Sequence, residues 1–184
     1  MTVTISTEII AAVAKWAYQD YDRPEINCVL FSAHYVVATD GHRLVRVPSE
    51  NDGPDIAVGP KYLLAAVEVS KLVRDVGEGS TLTLSMTVKG VLIEIAQGVR
   101  MMVPASDATA FPPYEQVIPT DMESESPAGH YFNPAYLAAI EEVHLACGGH
   151  GRGVIVTAWA KDRLGMMKFK GAGGSEFVIM PMRA

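Results

Sequence analysis

Val37-Ala38-Thr39-Asp40-Gly41-His42-Arg43-Leu44 gathers an acid, an imidazole and a guanidinium around one glycine. Apolar runs flank it, Cys28 to Phe31 and Tyr35 to Val37 before it and Leu44 to Val47 after it. This predicts two antiparallel strands joined at Asp40-Gly41, because glycine adopts positive φ without a Cβ penalty and Asp-Gly favours a hairpin turn. Two roles compete for the polar residues: Asp40 with His42 as an acid–base pair, or a satisfied turn that shapes a surface. Residues two apart on a strand or turn often diverge, which favours the turn.

The hairpin belongs to a unit written three times. Each copy opens on a short strand that runs into a helix start: Thr2 to Ser6, Ile56 to Pro60, and His130 to Pro134. Ser6 and Asn133 suit the N-cap, where a side-chain oxygen accepts a free first-turn amide, and Pro60 and Pro134 suit the first helical position. Apolar residues then recur at helical spacing: Ile9, Ile10, Val13 and Trp16; Leu63, Leu64, Val67 and Leu72; Tyr136, Leu137, Ile140 and Val143. Three runs of strand character follow each helix. They are 28–32, 35–39 and 43–47 in the first unit, 81–87, 91–96 and 99–103 in the second, and 154–159, 163–169 and 177–182 in the third. Every unit closes on a hydrophobe-proline pair, Val47-Pro48, Val103-Pro104 or Met180-Pro181, roughly 42 to 47 residues after its helix start. The expected class is α+β, with helices on one face of antiparallel sheets.

The joins between units differ. Only Ser49 to Pro54 separates the first from the second, so residues 1–119 are expected to form one domain of two units, about 1–50 and 55–119. The acidic, serine-rich run Asp121-Met-Glu-Ser-Glu-Ser-Pro127 marks residues 120–129 as an exposed linker, leaving 130–184 as a single half-domain.

Fifteen Lys and Arg against twenty-one Asp and Glu give a net charge of -6, which argues against a surface that grips nucleic acid everywhere. A local basic face remains open, and the residues assigned to it are Lys15, Arg23, Lys61, Lys71 and Arg74. Two cysteines in apolar or helical settings imply a reducing, cytoplasmic compartment. No apolar stretch approaches membrane-spanning length, and no membrane partner is expected.

His144, Cys147 and His150 have a spacing that a transition metal could use, but the glycines at 148, 149, 151 and 153 read as a helix end running into a loop. No second cluster completes a site, so no metal is expected. The glycines at 148–153 and 171–174 precede strands rather than helices, which argues against a phosphate cradle. No nucleophile elbow, zincin helix or carboxylate pair at motif spacing occurs. The chain is expected to be neither an enzyme nor a cofactor binder.

Val37 to Leu44 resembles the hallmark turn of the bacterial replicative sliding clamp, the beta subunit of DNA polymerase III. The likeness continues in order through Arg23-Pro-Glu-Ile-Asn-Cys-Val-Leu-Phe31, Phe111-Pro-Pro-Tyr-Glu-Gln-Val-Ile-Pro119, Phe132-Asn-Pro-Ala-Tyr-Leu137 and Phe177-Val-Ile-Met-Pro-Met-Arg183. Clamps in this family have three domains, each a pair of units, and two chains close a ring whose helices line the hole. This chain resembles the middle domain joined to the second half of the last one, so it implies a shortened clamp fold. The family's dimerisation surfaces do not carry over.

The resemblance also implies a groove in which DNA polymerase and other clients insert a short hydrophobic peptide. Its matching positions are Ile26, Thr39, Gly41, His42, Arg43, Leu44, Pro112 and Val117, with Asn133, Tyr136, Leu164, Met166, Val178, Ile179, Met180, Pro181, Met182 and Arg183 from the third unit. Methionines suit such a lining because they are polarizable and adaptable. Gln116 stands where the family often has arginine, Cys28 where it usually has glycine, and Ala184 where it usually has leucine. The implied function is a sliding-clamp-like processivity factor on double-stranded DNA. The alternative is a peptide-binding adaptor or competitor that does not encircle DNA.

The third unit has no partner unit of its own. Leaving Tyr136, Leu137, Ile140 and Val143 in water would forgo about 1.5–3 kcal/mol each, so a covering surface is expected, here from the third unit of another copy. Two chains would supply the content of one family chain, and four that of a whole ring: a homo-oligomer, dimer or tetramer.

Overall fold

A computed structural model describes residues 2–51, 53–73, 80–95, 98–120, 131–150, 153–160 and 166–182. Arg74, Leu164, Arg183, Ala184 and nearly all of the expected linker lie outside these residues.

The first unit runs from β1 (Thr2–Ser6) through α1 (Thr7–Val13) to β2 (Val29–Phe31), β3 (Tyr35–Thr39) and β4 (Arg43–Pro48). Ser6 Oγ accepts the Ile9 amide at 3.1 Å, satisfying a first-turn donor that has no carbonyl partner. The chain then tightens into a 3-10 turn at Ala14–Trp16. The second unit repeats the order with β5 (Ile56–Val58), α2 (Pro60–Leu72), β6 (Thr81–Thr87), β7 (Gly90–Glu94) and β8 (Arg100–Val103). In the third, α3 (Pro134–Ala146) precedes β9 (Ile155–Ala160), β10 (Met166–Lys170) and β11 (Glu176–Ile179). Asn133 Oδ1 accepts the Ala135 amide at 2.9 Å, and Pro134 opens the helix without needing an acceptor. Where the repeat predicts an opening strand before α3, the described residues make a single bridge, Tyr131 with Met182.

Two antiparallel sheets result. One has the order β1-β6-β7-β8 and the other β5-β2-β3-β4-β11-β10-β9. The first two units exchange their opening strands, β1 lying on β6 of the second and β5 on β2 of the first. The third unit extends the first unit's sheet, with Glu176 opposite Arg46 and Val178 opposite Leu44.

Period-two alternation sends successive side chains to opposite faces of the larger sheet. Val29, Phe31, Val36, Ala38, Val45, Val47, Phe177 and Ile179 face inward and form one core with Ile10, Val13, Leu63, Val67, Ile140 and Val143 of the three helices. Leu30, Val37, Leu44, Met166 and Val178 face the other way, where Phe111, Tyr114 and Ile118 partly cover them. That outer face carries the candidate site.

The expectation that Ile140 and Val143 of the third unit need cover from another chain is corrected here. Ile140 and Val143 are buried against the first unit, and Phe177 lies 5.6 Å from Trp16 between ring centroids. On that side α3 packs against α1. Leu137 stays 39% exposed. Among the described residues no helix is long and apolar enough to cross a membrane.

Candidate functional site

The β3–β4 connection is a closed hydrogen-bonded device. Asp40 Oδ1 accepts the amides of His42 at 2.9 Å and Arg43 at 3.0 Å, while Oδ2 takes the Arg43 Nε–H at 2.9 Å. Thr39 Oγ1 donates to the Arg43 carbonyl at 2.7 Å and accepts the Gly41 amide at 3.0 Å. Asp40 is thus consumed by the turn rather than paired with His42. The loop spans Asp40 to His42, one residue more than the Asp-Gly pair predicts, and only Gly41 takes positive φ, at 89°.

Arg43 fixes this turn to the helices behind it. Its guanidinium sits 4.8 Å from the Trp16 ring centroid and 5.0 Å from that of Tyr136, and Nη2 donates to the Lys15 carbonyl at 3.0 Å. A planar, delocalised cation makes all these contacts at once, which lysine cannot. On the other side the His42 carbonyl accepts the Met180 amide at 2.9 Å, tying the turn to the chain leaving β11.

Beside this junction lies a groove of about 630 Å³. Leu44, Met166 and Val178 from three adjacent strands make an apolar floor. Ile26, Thr39, Gly41, His42 and Arg43 form one wall, and Pro112, Val117 and Met180 line it as well. Arg23, Pro113, Tyr114 and Gln116 complete the lining. The volume and the mix of apolar floor with sparse polar rim suit a small ligand or peptide side chains.

Several expected groove residues lie elsewhere. Ile179 is fully buried on the inner face, one residue out of phase with Val178 and Met180. Asn133 caps α3 and Tyr136 backs Arg43. Met182 is 54% exposed and pairs with Tyr131; neither it nor Pro181 lines the groove. Leu164 and Arg183 are outside the described residues.

Arg23 moves in the opposite direction, from the DNA-facing set to the groove. A Cβ on Gly41 would stand 2.8 Å from Arg23 Nη1, so the bare glycine makes room for the guanidinium. Gly41→Ala combines that displacement with positive-φ strain. A loss of about 1–2 kcal/mol in urea unfolding is expected, with the turn as its source.

Next to the groove, on the same outer face, Glu176 bridges two cations. Its Oε2 meets Arg46, and its Oε1 lies 2.7 Å from Lys168 Nζ. Burial pushes this carboxyl up, but hydrogen bonds and charge from Lys168 and Arg46 outweigh it and hold Glu176 below its ordinary value. A depressed folded-state pKa adds stability above the unfolded value of 4.5 that is lost as pH falls through the folded pKa. Glu176→Gln should therefore cost about 1.5–3 kcal/mol at neutral pH. In thermal melts its deficit against the unmutated chain should shrink as pH is lowered below 4.5.

No family model and no curated protein matches this sequence. Solved structures match over all of it. The DNA polymerase III beta subunit of Thermotoga maritima aligns with a TM-score of 0.71 at 18% identity, over 100% of this chain and 66% of its own. The fold is that of a bacterial sliding clamp. A DNA polymerase sliding clamp from Pseudomonas aeruginosa gives 0.71 at 16% identity, over 100% of this chain and 67% of its own. For the Caulobacter crescentus pol III beta the values are 0.67 and 17%, over 100% and 66%. The chain thus spans about two thirds of the length of these clamps.

On the helix face of this clamp fold the expected cations are largely engaged. Lys15 pairs with Glu142 at 2.7 Å and Lys71 with Glu68 at 2.6 Å, while Lys61 Nζ lies over the rings of Tyr21 and Tyr62. Glu8 and Glu141 add acid to the same helices. His144 is buried, and its Nδ1 accepts the Ala172 amide at 3.1 Å, which anchors the loop before β11. Among the described residues no three of His, Cys, Asp and Glu come together as a metal site. Cys28, under the outer face, is pushed up to about 11 by burial and then by Glu25, so it stays a thiol at neutral pH.

Proposed function

We propose that the chain is a sliding-clamp-like tethering factor that holds client proteins, DNA polymerase among them, through a short hydrophobic peptide bound in this groove. One observation carries the reading: an apolar floor drawn from β4, β10 and β11 is framed by a turn whose polar groups are almost all satisfied internally. Such a surface offers burial and shape rather than acid–base chemistry, so it works by attachment. Peptide side chains would fill the space over Leu44, Met166 and Val178, and the Arg23, His42 and Gln116 rim would orient the backbone. A fluorescent clamp-binding peptide should give a saturable polarisation change. A flat titration at protein concentrations reaching high micromolar would defeat the proposal.

Whether the chain also encircles double-stranded DNA is a separate part of the reading. The carboxylates paired with Lys15 and Lys71 weaken the field that would attract phosphates, which favours a second form: an adaptor or competitor that binds clients without a ring. Retention on nicked circular DNA, with release after linearisation, supports encirclement. Equal, salt-sensitive binding to both forms supports the adaptor.

A further inference from the structure

We propose that two copies of this chain pair through their third units by exchanging the strand that precedes α3, each copy laying it on the β9 edge of the other. The internal repeat supplies the template. In the first two units the strand after the helix, β2 or β6, is covered by an opening strand from the other unit. In the third unit the equivalent strand is β9, and among the described residues it pairs only with β10. The receiving edge is present without its donor.

The donor is present too, held in the corresponding place. Ala57 of β5 stands three residues before Pro60, bridges Ser106 just past its own unit's closing proline, and pairs with Leu30 on its other side. Tyr131 stands three residues before Pro134 and bridges Met182 just past its own closing proline. The first of these two partnerships is therefore reproduced, and no strand on the described chain supplies the second. Tyr131, at its isolated bridge, is 66% exposed, and Ile155, at the start of β9, is 63% exposed, so both leave large side chains in water.

The helices agree with this pairing. Across the junction where β1 and β5 are exchanged, α1 and α2 pack side by side. Beside β9, α3 packs on α1, and Leu137 of α3 stays 39% exposed. A second α3 related by a two-fold axis would cover it. Reciprocal donation is isologous and closes on itself, so it stops at two copies through this surface. The occupant is a second copy because the segment that fits the edge is encoded beside it in every chain.

Light scattering after gel filtration, at micromolar concentration, should give twice the 19.8 kDa chain mass. Ile155→Lys puts a charge on an already exposed edge position, and should restore the monomer mass without changing the circular dichroism spectrum or the melting curve of the chain's own core. Met102→Lys, at an exposed position on the β8 edge, should leave the dimer intact. Mixing Tyr131→Cys chains with Ile155→Cys chains under mild oxidation should give a disulfide between the two mutant chains. A monomer for the unmutated protein overturns the proposal, as does a dimer that survives Ile155→Lys or is broken by Met102→Lys. Peptide binding is read separately, so failure here leaves the groove untouched.

Discussion

Met180→Asp should weaken peptide binding about 30- to 100-fold, the loss of an interface hot spot worth about 2–3 kcal/mol. Met180 leaves β11 at the groove, and its amide is bound by the His42 carbonyl, so its backbone position is fixed while its side chain lines the opening. A carboxylate there would be desolvated by any apolar peptide that docks over the floor of Leu44, Met166 and Val178. The residue is partly exposed, so folding should survive; an unchanged melting curve beside a lost polarisation change is the expected pair of results. Met182→Asp is the control. The side chain two residues on is exposed and away from the groove, and its substitution should change affinity less than threefold, under about 1 kcal/mol.

Phe177→Ala should destabilise the protein by about 3–5 kcal/mol, a large share of the 5–15 kcal/mol typical of a domain. Phe177 is fully buried, lies at a tilt to Trp16, and belongs to the inner core that joins the third unit to the first. Removing the ring leaves a cavity in the core that α1, α3, β4 and β11 share. Urea unfolding followed by tryptophan fluorescence should show the lower midpoint. Peptide affinity should fall in step, because β11 supplies Val178 and positions Met180.

The fold was readable wherever a local pattern decides it. Of the alternating Leu82, Leu84 and Met86, the two leucines point into the core while Met86 stays 39% exposed, and the Ser6 and Asn133 caps sit where their side chains predict. The order of a helix followed by three strands recurs three times as the pattern predicts, and Thr39, Gly41, His42, Arg43 and Leu44 of the turn line the cavity. The docking of the third unit on β4 was not readable from pattern. Arg46 and Glu176, which pair across that join, lie 130 residues apart in sequence, and their ion pair exists only once the strands are side by side. Arg23 was assigned by charge alone, and nothing local to it reveals that Gly41 leaves space for its guanidinium. One error was avoidable. Residues 178 to 182 cannot all face one groove when Val178 and Met180 point outward, and the period of two already sends Ile179 to the core.

The most direct test of the groove is to follow backbone amide signals of the isotopically labelled protein while the clamp-binding peptide is added. Shifts should gather on Arg23, Ile26, Met166 and residues 39–44, 114–117 and 178–180, with the helix-face amides near Lys61 and Lys71 unmoved. Shifts that spare His42 and Met180, or that gather on the helices instead, would contradict the groove assignment.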